Sequence, residues 1–318
     1  MADKLPKLAI VVPCYNEEEV LPKTIQVISG LLKEMINEKE ISSESVVCYV
    51  NDGSQDKTWD IIQKIAAKDK NNVGISLSRN FGHQKAIIAG MYECDADIYV
   101  TIDADLQDDC FAIREMLQKI KSGCDIVYGV RDCRDTDTLF KKYSAQGFYK
   151  LMQFLGVNIV YNHADFRMMT RRAVNNLKEF PERNLFLRAL VPLVGYKSDT
   201  VYYDRKAREA GETKYPLIKM LSFAWNGISS FSNFPLRLVT VTGFFIFLLG
   251  IILMTCLIYW WFVGQVVEGW AFLVIVITLL SGVQLLSLGI IGEYVSKLFV
   301  EVKHRPLYLV DVKTKKIE

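Results

Sequence analysis

Residues 99–109 read YVTIDADLQDD. An apolar, β-branched strand runs without a break into Asp103, Asp105, Gln107, Asp108 and Asp109, groups that each cost free energy to desolvate. Such an ending is expected where the acidic oxygens hold something. If residues 103–107 stay extended, positions i, i+2 and i+4 face one way, so Asp103, Asp105 and Gln107 converge on one point. Two carboxylates and an amide oxygen are hard donors suited to Mg²⁺ or Mn²⁺, with the remaining coordination left to water and a diphosphate. Asp108 and Asp109 are expected to open the next helix, where negative charge suits its positive end. The competing reading makes the whole acidic run a helix cap.

The same pattern repeats outward from this stretch. KLAIVVPCY, SVVCYVNDG, VGISLSRN and DIVYGVRD are further apolar runs that end in polar residues, with helical patterns near 17–36, 57–69, 83–94 and 109–121 between them. This predicts an α/β domain with a largely parallel sheet, Rossmann-like in its winding. Ligands of such sheets bind beyond the carboxyl ends of the strands. Tyr15–Glu17, Asn51–Asp52, Arg79–Asn80, Asp103–Gln107 and Arg131 all fall there. No GxGxxG follows the first strand, so no dinucleotide cofactor is expected. Asn16 with Glu19 could form a capping box, which gives Glu17 a structural alternative. Arg131 could meet a phosphate or pair with Asp132 and Asp135.

At 318 residues the chain is long enough for more than one domain, and 38 Lys and Arg against 36 Asp and Glu leave no field that would favour nucleic acid. Seven cysteines without a CxxC pair suggest reduced thiols in the cytosol. The start lacks the pattern of a signal peptide.

The other end differs in kind. Residues 238–263 hold no charge over 26 positions, and residues 270–291 none over 22. Either run can cross a hydrocarbon core as a helix, and the short link GQVVEG (264–269) predicts a transmembrane hairpin. Lys219 and Arg237 precede it, and Lys297, Lys303 and Arg305 follow, so both flanks are expected on the cytoplasmic side. Residues 216–235 carry apolar positions at helical spacing, as an interfacial helix would. The expected organisation is therefore a domain over 1–215, an interfacial helix over 216–235, and the hairpin with a cytoplasmic tail over 236–318.

VVPCYNEEEVLP, VNDGSQDKT, DADLQDD, ADFR (164–167) and REAGETKYPLIKM (208–220), taken in order with the hairpin, resemble the family 2 glycosyltransferases of GT-A fold. Within that family the chain is most similar to the polyprenyl-phosphate group, the bacterial bactoprenol glucosyltransferases and dolichol-phosphate mannosyltransferases. The resemblance implies a metal-dependent, inverting transfer of a sugar from a nucleotide sugar to a polyprenyl phosphate at the bacterial inner membrane. UDP-glucose is the donor it implies. Pro13, Tyr15, Glu17 and Asp52 would hold base and ribose, and Asp103, Asp105 and Gln107 the metal on the diphosphate. Arg131 would contact a phosphate, as would Arg205, Arg208 and Lys214, the last three on the acceptor side. Asp165 falls where the family's acceptor-side carboxylate lies, and Asn51 stands where many relatives carry Asp. Self-association is a further implication, although Gly243, Gly250, Gly282 and Gly289 form no GxxxG. Two other readings compete. A processive polysaccharide synthase would want a QxxRW motif, and none of the five tryptophans sits in one. A catalytically silent scaffold or flippase partner would have no need of Asp103, Asp105 and Gln107.

Overall fold

The computed structural model describes residues 5–131, 163–204, 232, 234–263 and 269–314. Residues 5–131, 163–204 and 305–314 belong to one compact unit, and 232, 234–263 and 269–304 to another.

In the first unit β1 (Leu8–Cys14), α1 (Leu21–Asn37), β2 (Val46–Asn51), α2 (Thr58–Lys68), β3 (Asn72–Leu77), α3 (His83–Glu93), β4 (Ile98–Thr101), α4 (Ala112–Lys121) and β5 (Ile126–Arg131) alternate. They are followed by β6 (His163–Thr170), α5 (Arg171–Lys178), α6 (Leu187–Leu193) and β7 (Ser198–Tyr203). The last strand, β8 (Val310–Lys313), comes after the second unit. Together they make one eight-stranded sheet in the order β7-β5-β6-β4-β1-β2-β3-β8. The block β4-β1-β2-β3 is parallel, as is the pair β5-β7. β6 runs antiparallel between β4 and β5, and β8 antiparallel to β3. The sheet is mostly parallel, as the five apolar runs predicted.

All seven residues of β1 are buried, which is the signature of a parallel strand covered on both faces. Leu8, Ile10 and Val12 share a core with Ile28, Leu32 and Met35 of α1 and with Ile113 and Met116 of α4. On the other face α3 approaches closely: a Cβ on Gly90 would lie 2.3 Å from Val11 Cγ1 and 3.0 Å from Val50 Cγ2. That closeness leaves no room for a side chain between α3 and the β1–β2 pair at this point.

β8 covers the edge that β3 would otherwise leave open. Tyr308 Oη and Lys313 Nζ each donate to Glu93 at 2.7 Å, and the Gly74 N–H donates to Thr314 Oγ1 at 2.9 Å. The residues read from sequence as a tail thus join the sheet of the first unit.

The second unit contains α7 (Phe234–Phe262) and α8 (Trp270–Val302). Each has a stretch long and apolar enough to cross a membrane, Phe234–Leu253 and Leu280–Val302. Phe244, Phe245, Phe247, Leu285 and Leu286 are all exposed, an apolar surface far larger than water tolerates on a soluble chain. α8 extends eleven residues past the uncharged run that ended at Ile291. Most of the interfacial helix expected over 216–235 lies outside the described residues.

Candidate active site

β4 keeps its ladder only as far as Thr101, beyond which backbone donors must find other partners. Asp105 supplies one: its Oδ1 accepts from the Gln107 N–H at 3.1 Å. Residues 104–106 turn, and Leu106 has a φ of 54°. The extended run expected over 103–107 is therefore corrected to a side-chain-held turn. Asp103, Asp105 and Gln107 all follow this strand end, but the alternation that was expected to align them is absent.

Asp108 is also corrected. It does not open α4, which starts at Ala112; Asp109 accepts from the Phe111 N–H there at 3.3 Å, and Glu115 lies in the first turn. Asp108 is buried and accepts from Tyr203 Oη at 2.5 Å and Arg131 Nη2 at 3.1 Å. Burial raises its pKa against the pull of Arg131. Arg131 thus has a partner from the β4–α4 loop, whereas Asp132 and Asp135 lie outside the described residues.

The antiparallel register of β6, Thr101 opposite Arg167, carries Asp165 alongside the strand end that bears Asp103. Thr101 Oγ1 donates to the Asp165 carbonyl at 2.5 Å. The Asp165 carboxylate accepts from Arg167 Nη2 at 2.6 Å and from Arg188 Nη2 at 3.1 Å. Arg167 is fully buried, and its other amino group donates to the Leu187 carbonyl at 3.0 Å. From the opposite side His83, the first residue of α3, places Nε2 3.3 Å from Asp103 Oδ1. Its neighbour Gln84 accepts from the Leu187 N–H at 3.1 Å, so the starts of α3 and α6 meet at the site.

Electrostatics follows from this pairing. Burial would raise the Asp165 carboxyl, but Arg188, then Arg167 and His83, outweigh it and hold the group well below the usual carboxylate range. Burial would lower His83, but the bond and charge of Asp103 raise it to about 9. A depressed native pKa means that Asp165 contributes stability above its unfolded value, lost only as pH falls through the native one. Between about pH 5 and 9 it stays charged, so it cannot be the group behind any acid limb there. Asp165→Asn is expected to change the height of a pH–rate profile and leave its inflections in place. Loss of an acid limb in that variant would contradict this assignment.

The first strands supply the rest. Pro13, next to last in β1, is buried, Tyr15 is exposed, and Glu17 is half-buried. Asn16, with φ 53°, does not cap α1; its Oδ1 accepts from the Gln55 N–H at 2.9 Å, and the helix begins later, at Leu21 with Pro22 in its first turn. The capping box expected with Glu19 does not form, because Asn16 ties the β1 loop to the β2 loop instead. Asn51 donates to Ser76 Oγ and accepts from the Ser54 N–H. Asp52 is buried and accepts from the N–H groups of Phe81 (2.7 Å) and Gly82 (2.9 Å), which fixes the loop leading to His83.

Gly53 permits that loop contact, with φ 66° and a Cβ position only 2.4 Å from the Arg79 carbonyl carbon. Gly53→Ala is expected to cost about 2 kcal/mol or more, since both the backbone conformation and the space are forbidden to a side chain. A urea melt that matches wild type would refute the close approach.

Arg205, Arg208 and Lys214 lie outside the described residues. Three site residues were not assigned from the sequence: His83, Arg167 and Arg188. Arg167 had a signal, since Asp165 and Arg167 are two apart and share a strand face. Arg188 had none, being 23 residues from Asp165 in the chain.

In donor chemistry the β4 end suits a hard divalent cation. Among the described residues no group of three or more His, Cys, Asp or Glu gathers, so any set at this strand end would have to draw on two carboxylates and an amide at most. Mg²⁺ characteristically binds through one or two carboxylates together with substrate phosphates.

A mostly parallel sheet with an acidic turn after β4 is the arrangement expected of a GT-A glycosyltransferase, and the comparison with known families shows that class. The Glycosyl transferase family 2 profile matches residues 9–178, and the chain belongs to that family. It is 48% identical to the uncharacterized glycosyltransferase YkoT of Bacillus subtilis, over 98% of this chain and 93% of that one. It is 38% identical to the bactoprenol glucosyl transferase of Shigella phage SfV, over 96% of this chain and 98% of that one. A prophage bactoprenol glucosyl transferase homolog of Escherichia coli is likewise 38% identical, over 96% and 98%.

Proposed function

We propose that this glycosyltransferase moves a sugar, with glucose from UDP-glucose as the expected donor, onto a polyprenyl phosphate at the cytoplasmic face of a bacterial inner membrane. The observation that carries this is the likeness to bactoprenol glucosyl transferases over 96% of the chain, a span that takes in both apolar helices. The connectivity also supports it. The chain leaves the sheet after β7 and rejoins it as β8, so two crossings between them return it to the side it left.

In this reading Asp103 and Asp105, with Gln107, would hold Mg²⁺ or Mn²⁺, which when bound stabilises the charge of the departing diphosphate. Pro13, Tyr15, Glu17 and Asp52 line the nucleotide side. An oxygen of the lipid phosphate attacks the anomeric carbon as the bond to the diphosphate oxygen breaks, and a single displacement inverts that centre. That oxygen is already anionic, so no general base is required. This agrees with an Asp165 that stays ionised and clamped by two arginines. Asp165 holds cations in place and does not take a proton. Arg205, Arg208 and Lys214 are proposed to meet the acceptor phosphate.

The test is transfer by the full chain in detergent, from a panel of nucleotide sugars to undecaprenyl phosphate. UDP-glucose should give lipid-linked glucose, and chelation by EDTA should abolish the product until Mg²⁺ or Mn²⁺ is restored. No transfer from any donor with both metals present would end this reading, and undiminished transfer in EDTA would remove the metal from it.

A further inference from the structure

His83 stands at the start of α3, and the backbone is fixed on both sides of it. Ahead of it, Asp52 accepts from the N–H groups of Phe81 and Gly82. Behind it, Gln84 accepts from the Leu187 N–H at the start of α6. Between these anchors Gly82, with φ 98°, turns the chain into the helix. The imidazole Nε2 then lies 3.3 Å from Asp103 Oδ1, beyond the end of β4. Among the described residues, His83 is the one ion-pair partner of that carboxylate.

We propose that His83 is a positioning residue for the metal: it holds Asp103 Oδ1, so that the other carboxylate oxygen is the one presented to the cation. This rests on the metal-dependent reading above. The terminal torsion of a carboxylate is broad and roughly two-fold, and binding a cation ends that freedom. Mg²⁺ in particular tolerates little error in ligand direction. A donor on one oxygen restricts the rotation before the cation arrives, and ligating carboxylates are characteristically held by such a bond from outside the ligand set. His83 fits that role and not a ligand's, since among the described residues no three His, Cys, Asp or Glu side chains gather. The contact needs only an N–H on Nε2, which the charged imidazole and the neutral Nε2–H tautomer both supply.

The experiment uses the full chain in detergent with His83→Leu, which keeps bulk and removes the donor, and His83→Gln, whose amide can still donate to Asp103. The His83 side chain is 45% exposed, so both are expected to melt near the wild-type temperature. Mn²⁺ affinity is measured by electron paramagnetic resonance with UDP at saturation, and UDP affinity in EDTA by calorimetry. His83→Leu is expected to weaken Mn²⁺ binding by about 10–100-fold and to leave metal-free UDP binding unchanged. His83→Gln should recover most of the Mn²⁺ affinity. Unchanged Mn²⁺ affinity in His83→Leu, or an equal loss in both variants, overturns the proposal. Tighter binding also overturns it, because that is the result if the imidazole only stands in for the cation.

The metal-free arm guards against a merely structural effect. A displaced loop would weaken UDP binding in EDTA as much as it weakens Mn²⁺ binding, and that outcome makes His83 structural. Should His83→Leu melt early, His83→Ala takes its place under the same criteria, and a chain that folds with neither also overturns the proposal. A wild-type protein that binds UDP but no Mn²⁺ removes the metal from the reading above and this proposal with it. One that binds Mn²⁺ and UDP yet transfers nothing ends the glycosyl-transfer reading and leaves His83 to be judged on the Mn²⁺ arm.

Discussion

Asp105→Asn is expected to lower transfer by about 10²–10³-fold, or more, and to leave the melting temperature nearly unchanged. The reason lies in what the side chain does locally. Its Oδ1 accepts the Gln107 N–H that holds the turn after β4. An asparagine oxygen accepts the same bond, so the turn survives. What disappears is the negative charge. A cation held by Asp103 and Asp105 loses half of the protein's formal charge toward it, and the departing diphosphate loses the stabilisation that depends on it. Transfer assays, a thermal melt and a Mn²⁺ titration followed by electron paramagnetic resonance separate these effects. A variant with full turnover would remove Asp105 from the metal site, and one with weakened Mn²⁺ binding and a normal melt would place it there. Asp103→Asn is a poorer probe, since it also disturbs the His83 contact.

The second large effect concerns the hairpin, and the fold changes how it must be tested. Cutting the chain after Asn233 would remove α7 and α8 together with β8, and so would open the β3 edge and take both donors from Glu93. A loss of activity in that truncation would mix instability with loss of the membrane anchor. The cleaner variant replaces residues 236–304 with a flexible linker and keeps 305–318. It is expected to melt near the wild-type temperature and to bind nucleotide normally. Its transfer to acceptor embedded in bilayers should fall by about 10²–10⁴-fold, because a lipid confined to a surface is no longer held at high effective concentration. Transfer to a short-chain, water-soluble acceptor should change little. Equal rates on bilayer acceptor would show the two helices to be dispensable for delivery.

Much of this architecture is written in short-range pattern. β1 to β5 announce themselves as apolar runs because a parallel strand covered on both faces can hold few polar side chains, as the seven buried residues of β1 illustrate. The two membrane-length helices are equally plain, since a run of 26 positions without charge has few other uses. The acidic ending of β4 pointed to a site for the same reason: clustered carboxylates need a partner.

What the tertiary structure alone decided depends on which distant segments become neighbours. β6 slips antiparallel between β4 and β5, and that register, absent from any local pattern, sets Asp165 beside Asp103. Arg131 finds Asp108 across 23 residues and Arg188 finds Asp165 across the same separation, pairings that no local pattern signals. The turn at 104–106 replaced an extended run because the ladder of β4 stops at Thr101, a limit set by its two neighbours. β8 returns from beyond the hairpin to close an edge that only the assembled sheet exposes. A chain's own periodicity fixes which faces are apolar, and so where strands and helices form. The pairing of charges is fixed by register and by the loss of water around them, and both exist only once the sheet is built.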